Sequence, residues 1–133
     1  NVNPQIVTSG VFFFIKGPAT STVPTEITIA GEVPDIATLT RSVPAIGRLG
    51  TVANPYPADF TFGISPLASN AAVGSSASFW DPNQQRWVVG AKGLKGWAAN
   101  VATQRVLATE GFFLKGSNTT AFVWTNAKPY TWP

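Results

Sequence analysis

The chain reads as an all-β protein, an antiparallel β-sandwich or barrel of about 8–10 short strands. Three observations predict this. First, 12 Gly and 11 Pro are distributed along 133 residues. That spacing defeats long helices, because Pro removes a helix hydrogen bond and Gly loses most entropy on ordering. Second, β-branched and aromatic runs recur between turn residues. Third, one aromatic strand is written twice: Phe13-Phe14-Ile15-Lys16-Gly17 returns as Phe112-Phe113-Leu114-Lys115-Gly116.

The elements follow in order. Gln5–Lys16 is the longest apolar run, bounded by Asn3-Pro4 and Gly17-Pro18. Val23–Ala30 alternates Val, Thr and Ile with Pro, Glu and Thr until Gly31, and Ile36–Arg41 alternates again. Ile46–Ala53 runs into the tight corner Asn54-Pro55-Tyr56-Pro57, after which Asp59–Gly63 resumes the alternation through Phe60 and Phe62. Ser65–Ser76 is small and polar and suits a loop or one short helical turn. Ser78-Phe79-Trp80 and Arg86-Trp87-Val88-Val89 flank the five-residue stretch Asp81–Gln85, rich in turn formers, which predicts a hairpin. Ala91–Gly96 reads as a loop ending at Trp97, and Val101–Leu107, Gly111–Lys115 and Thr119–Thr125 read as strands. Lys128–Pro133 makes an extended end. No apolar run approaches the ~18 residues of a membrane span, so none is expected. Residues 18–133 are read as a single β domain, preceded by an apolar N-terminal strand at residues 1–17.

Each copy of the repeated strand is followed by a polar turn, a return strand and a Pro-containing exit, which points to a duplicated hairpin of about 25 residues. The second copy is preceded by a long segment, Tyr56–Glu110, whereas the first has no such segment before it. Its pairing partner is then one of two things. Within the same domain, Val7–Ile15 is simply a buried central strand. In a neighbouring molecule, it is a donor added to an open sheet edge. In that case Ile6, Val7, Val11, Phe12, Phe13, Phe14 and Ile15 form the assembly strand, and the partner is another copy of the chain.

Charged residues make up 11% of the chain, against roughly 25% in an ordinary soluble domain. A neutral surface of hydroxyls and amides suits packing against copies of the chain or against glycans. The formal net charge is +3. Its cations are dispersed, with only Lys92 and Lys95 close together, whereas phosphate binding needs clusters. Nucleic acid is therefore not an expected partner. With no His and no Cys, neither a Ser-His-acid triad nor a Cys-His pair can be built, and zinc loses its best ligands. Among the six carboxylates, Asp59 and Asp81 sit in turn contexts where capping is the ordinary role. No catalytic residue, metal or cofactor is expected, and the chain is not read as an enzyme. Absence of Met means that a signal peptide or propeptide was removed before Asn1 or that the chain is an excised piece; it is read as processed and exported, hence as extracellular or at the cell surface.

Trp80, Trp87 and Trp97 cluster around the predicted hairpin. Exposed, they would form a platform for sugar rings; buried, they would be core anchors. Trp80 and Trp87 can meet as a cross-strand pair. Asn118-Thr119-Thr120 is a glycosylation sequon in the turn after the repeated strand.

The order Asn54-Pro55-Tyr56-Pro57, Trp80-Asp81-Pro82, Gly96-Trp97, Gly111-Phe112-Phe113-Leu114-Lys115 and Lys128-Pro129-Tyr130 resembles a family of uncharacterised secreted bacterial β-rich proteins. The resemblance covers about Leu49–Trp132 and implies export and a β fold. The Gly10 copy of the strand departs from it, having no half-unit ahead of it. Together these features suggest a non-catalytic structural subunit of an extracellular filament, sheath or surface layer, polymerising by strand addition. A carbohydrate-binding or adhesive β-sandwich is the alternative, and a viral coat protein a third.

Overall fold

The structure, a computed structural model of the chain, describes residues 35–131 except positions 44 and 109. The candidate donor strand within residues 1–17, with Ile6, Val7, Val11, Phe12, Phe13, Phe14 and Ile15, lies outside the described residues, as does Val23–Ala30. In chain order the described elements are β1 (Thr38–Val43), β2 (Leu49–Ala53), β3 (Phe60–Thr61), a 3-10 turn (Phe62–Ile64), α1 (Pro66–Asn70), β4 (Ser76–Asp81), β5 (Arg86–Gly93), β6 (Gly96–Trp97), α2 (Ala99–Ala102), β7 (Arg105–Val106), β8 (Gly111–Lys115) and β9 (Phe122–Ala127).

Every described pairing is antiparallel. Five strands form one sheet in the order β2-β8-β4-β5-β6, while β1 with β9 and β3 with β7 form two short ribbons. The all-β expectation holds, and of its two forms the barrel is set aside, because the sheets do not close. The arrangement is sandwich-like: the ribbons and short helices form a second layer over one face of the large sheet.

The second copy of the repeated strand, β8, is interior to this sheet. Val52 of β2 lies opposite Phe112, and Ala77 of β4 opposite Leu114. All four of these side chains are buried. Alternation along a strand sends Phe113 and Lys115 to the other face. From the second layer, Phe62, Leu67, Val101, Val106, Val43 and Trp124 join the same core. Phe62 is its hub, edge-on to Phe79 at 5.2 Å, to Trp97 at 4.8 Å and to Phe112 at 5.5 Å.

Two local expectations are corrected. Val101–Leu107 is a helical turn followed by the short strand β7, because Val101 seats in a notch that only Gly90 leaves open. A Cβ on Gly90 would sit 2.7 Å from a Val101 methyl. Tertiary packing thus overrides the β preference of this stretch. The predicted loop Ala91–Gly96 is strand through Gly93, and then a tight reversal in which Gly96 takes φ +117°, a conformation that favours Gly. The small polar stretch does hold one short helix. The Ser65 hydroxyl accepts from the Ala68 N–H at its start, with Pro66 at the first position. At its end the Lys92 ammonium donates to the carbonyls of Ala68, Ser69 and Ala71 at 2.8–2.9 Å, satisfying helix-terminal acceptors.

Candidate functional site

The outer face of the large sheet carries an aromatic stripe. Trp80 and Trp87 stand directly opposite one another on β4 and β5, with ring centroids 5.3 Å apart at 64°. Ser78 lies across from Phe113, and its small side chain leaves room for Trp87 to reach that ring at 5.3 Å. Trp80 and Trp87 are 42% and 39% exposed. Leu49 and Val89 are exposed on the same face.

Trp97 is not part of this stripe. It packs against Phe62 on the inner face, and its indole N–H donates to the Ala68 carbonyl at 2.9 Å. Two of the three Trp therefore share a surface, and the third is partly buried against the core. Trp80→Ala is expected to lower stability by about 0.5–1.5 kcal/mol for the lost aromatic pair, plus the burial of the part of the ring that is covered. Trp97→Ala is expected to lower it by about 3 kcal/mol or more. Parallel urea titrations of the two variants check the order.

Asn118 holds the chain after α1 in place. Its side-chain amide donates to the Asn70 carbonyl at 3.1 Å, and its oxygen accepts from the Ala72 N–H at 2.9 Å. A glycan on that nitrogen would compete with the first bond.

The corner after β2 is a polar clamp. Asn54, 8% exposed, donates to the carbonyls of Ala58 and Leu107 at 2.7 and 3.1 Å and accepts from the Tyr56 N–H at 3.2 Å. The Tyr56 hydroxyl donates to the Ile36 carbonyl at 2.8 Å. Desolvation by burial raises the pKa of this hydroxyl, with Tyr130 adding to the rise and Lys128 opposing it. A raised folded-state pKa means that its stabilisation is complete below pH ~10 and is lost as pH climbs beyond the folded value.

The described carboxylates are all engaged locally. Asp59 pairs with Arg105 at 2.7 Å, and Asp35 pairs with Lys128. Asp81 accepts from the N–H groups of Asn83 and Gln84, and Glu110 accepts from the Leu107 N–H. Among the described residues no three His, Cys, Asp or Glu gather as metal ligands, and no helix is long and apolar enough to cross a membrane.

The two edges of the large sheet differ. In antiparallel pairing, successive residues turn their N–H and C=O alternately to one neighbour and the other. The Asn54 N–H donates to the Glu110 carbonyl at 3.0 Å. By register Val52 and Gly50 also face β8, so Leu49, Thr51 and Ala53 direct their backbone groups to the outer side. Among the described residues no strand pairs on that side. The opposite edge is covered over the second half of β5. The Val89 carbonyl accepts from the Asn100 side chain at 2.9 Å, the Ala91 carbonyl accepts from the Ala98 N–H at 3.0 Å, and β6 pairs with the end of β5.

No family model, curated protein or solved structure matches the chain.

Proposed function

We propose that this chain is a non-catalytic structural subunit of an extracellular filament, sheath or surface layer, which polymerises by β-strand addition. The observation that supports this is the asymmetry of the sheet edges: β5 is capped from Val89 to Gly93, whereas Leu49, Thr51 and Ala53 turn a row of backbone groups outward. Such a row is a template for another strand. The apolar N-terminal segment, whose sequence repeats that of β8, is the donor in this reading. In β8 the equivalents of Phe13 and Ile15 are core residues, Phe112 and Leu114. Low charge favours close packing of copies.

Thr51→Pro tests the reading on the full chain. The Thr51 N–H faces away from β8, so Pro removes a donor from the outer edge and leaves the β2–β8 ladder its bonds. Wild-type protein is expected to form multimers visible by electron microscopy and sedimentation, and Thr51→Pro to remain monomeric with an unchanged far-UV spectrum. Wild type that stays monomeric at high concentration, or a Thr51→Pro variant that assembles normally, removes the proposal.

The exposed Trp80–Trp87 pair favours a second reading, a glycan-binding or adhesive module, since such rings stack on the apolar faces of sugars. Under it, Trp80→Ala abolishes glycan binding with a smaller loss of stability than Trp97→Ala.

A further inference from the structure

We propose that the open cleft between the β3–β7 ribbon, the start of α1 and β9 binds a neutral oligosaccharide, at a site separate from the Trp80–Trp87 stripe. The cleft has a volume of about 480 Å³, within the range of small-ligand sites, roughly 300–1,000 Å³. It combines an apolar floor with planar polar groups at the rim.

Phe60 is the half-buried apolar base of the cleft, and the exposed Ile64 and Pro66 add apolar surface at its margin. Phe60 is fixed from behind by the buried Trp124, 6.0 Å away. Ile64 is 84% exposed, and a ligand seated on Phe60 would cover part of its side chain. The C–H face of a sugar ring is the natural complement to such a floor.

Asp59, Arg105 and Asn126 supply the rim. A carboxylate has about four acceptor sites. Asp59 uses one oxygen on Arg105 and the other on the Ala108 N–H at 3.0 Å, so each oxygen retains a lone pair. The Arg105 side chain is 72% exposed, and of its five N–H donors the ion pair uses only part. The Asn126 amide makes no side-chain hydrogen bond among the described residues, although it stands on the inward side of β9 with Trp124. An acceptor and a donor held side by side at 2.7 Å match adjacent hydroxyls: one donates to the carboxylate while its neighbour accepts from the guanidinium. The ligand class follows from the charge balance. Asp59 neutralises Arg105 and repels anions, so the site favours an uncharged polyol over an acidic sugar. The Ser65 hydroxyl contributes nothing to the ligand, being spent on the α1 cap and the Phe62 carbonyl.

The test uses the full chain, by calorimetric titration with cellohexaose, xylohexaose and mannohexaose separately, and with trigalacturonate as the charged comparison. Hydrogen–deuterium exchange with and without sugar locates the contact in unmodified protein, whether monomeric or assembled. At least one neutral hexasaccharide is expected to bind and to protect the segments around residues 59–66, 105–108 and 126. Arg105→Gln and Asn126→Ala are each expected to weaken it by about tenfold or more, and Trp80→Ala to leave it unchanged. Arg105→Gln removes only an exposed ion pair, which contributes little to folding. Four results would each overturn the proposal: no binding by any of the three neutral sugars, tighter binding of trigalacturonate, protection confined to the Trp80 face, or full affinity in both variants. None of these bears on whether β2 accepts a strand, so assembly and sugar binding fail or stand separately.

Discussion

Phe62→Ala is expected to destabilise the protein by about 3–5 kcal/mol, the range for removing a large aromatic from a packed core. Phe62 is completely buried and touches three aromatic rings that reach it from three different strands: Phe79 on β4, Phe112 on β8 and Trp97 on β6. Phe79 and Phe112 also stack on each other at 4.7 Å. Deleting the ring opens a cavity that this stacked pair cannot fill without leaving the sheet. The 3-10 turn that carries Phe62 is only three residues long, and the Phe62 N–H ties it to the Gln104 carbonyl at 2.8 Å, so the turn should stay in place around the cavity. For a chain of this size the loss corresponds to a fall in melting temperature of roughly 10–18 °C. Phe62→Leu keeps most of the apolar volume and should recover about half of it. Thermal unfolding followed by circular dichroism measures both. A Phe62→Ala variant melting within two or three degrees of wild type would show that the rings do not depend on their hub.

The sheet was legible where a strand is its own signal. Alternating side chains in Gly111–Lys115 and around Trp80 and Trp87 announce both the strands and the faces, because period-2 alternation is local. The turn joining β4 and β5 was legible for the same reason, through Asp81, whose carboxylate caps it. The elements that escaped are those decided by a distant residue. Nothing in Ala98–Ala102 reveals that Gly90 leaves a notch for Val101. Trp97 looks like a companion of Trp87 until α1 is in place and offers the Ala68 carbonyl to its indole. The cleft was invisible in the sequence because its rim is assembled from separate elements. Asp59 reads alone as a turn residue, Arg105 as an isolated cation and Asn126 as a polar position on a strand. Only the ion pair, 46 residues apart in sequence, makes the first two a unit.

The Asn54 corner separates a motif seen from a motif understood. Asn54-Pro55-Tyr56-Pro57 announces a tight corner, but its tie to the Leu107 carbonyl crosses 53 residues of sequence. Asn54→Ala leaves two carbonyls and the Tyr56 N–H without this partner and should lower stability by about 2–4 kcal/mol, at 1–3 kcal/mol for each buried unsatisfied group with partial relaxation. Asn54→Asp has the same shape yet should do more harm at neutral pH. A carboxylate still accepts from the Tyr56 N–H but has no donor for the carbonyls of Ala58 and Leu107. It faces two acceptors in a desolvated site, which favours its neutral form and raises the folded-state pKa of the introduced carboxyl. The sign of the pH dependence follows. With the folded value above the unfolded ~3.9, the protonated group stabilises the fold fully below that pH, and the contribution disappears as pH rises through the folded value. Asn54→Asp should therefore lie nearest to wild type in acid and fall away toward neutrality, whereas Asn54→Ala should keep a constant deficit. Urea unfolding of the three proteins at acid and neutral pH distinguishes the two profiles. Parallel profiles for the two variants would mean that the Asn54 amide does not donate to the backbone, and that the corner is held by Tyr56 and its hydrogen bond to Ile36 instead.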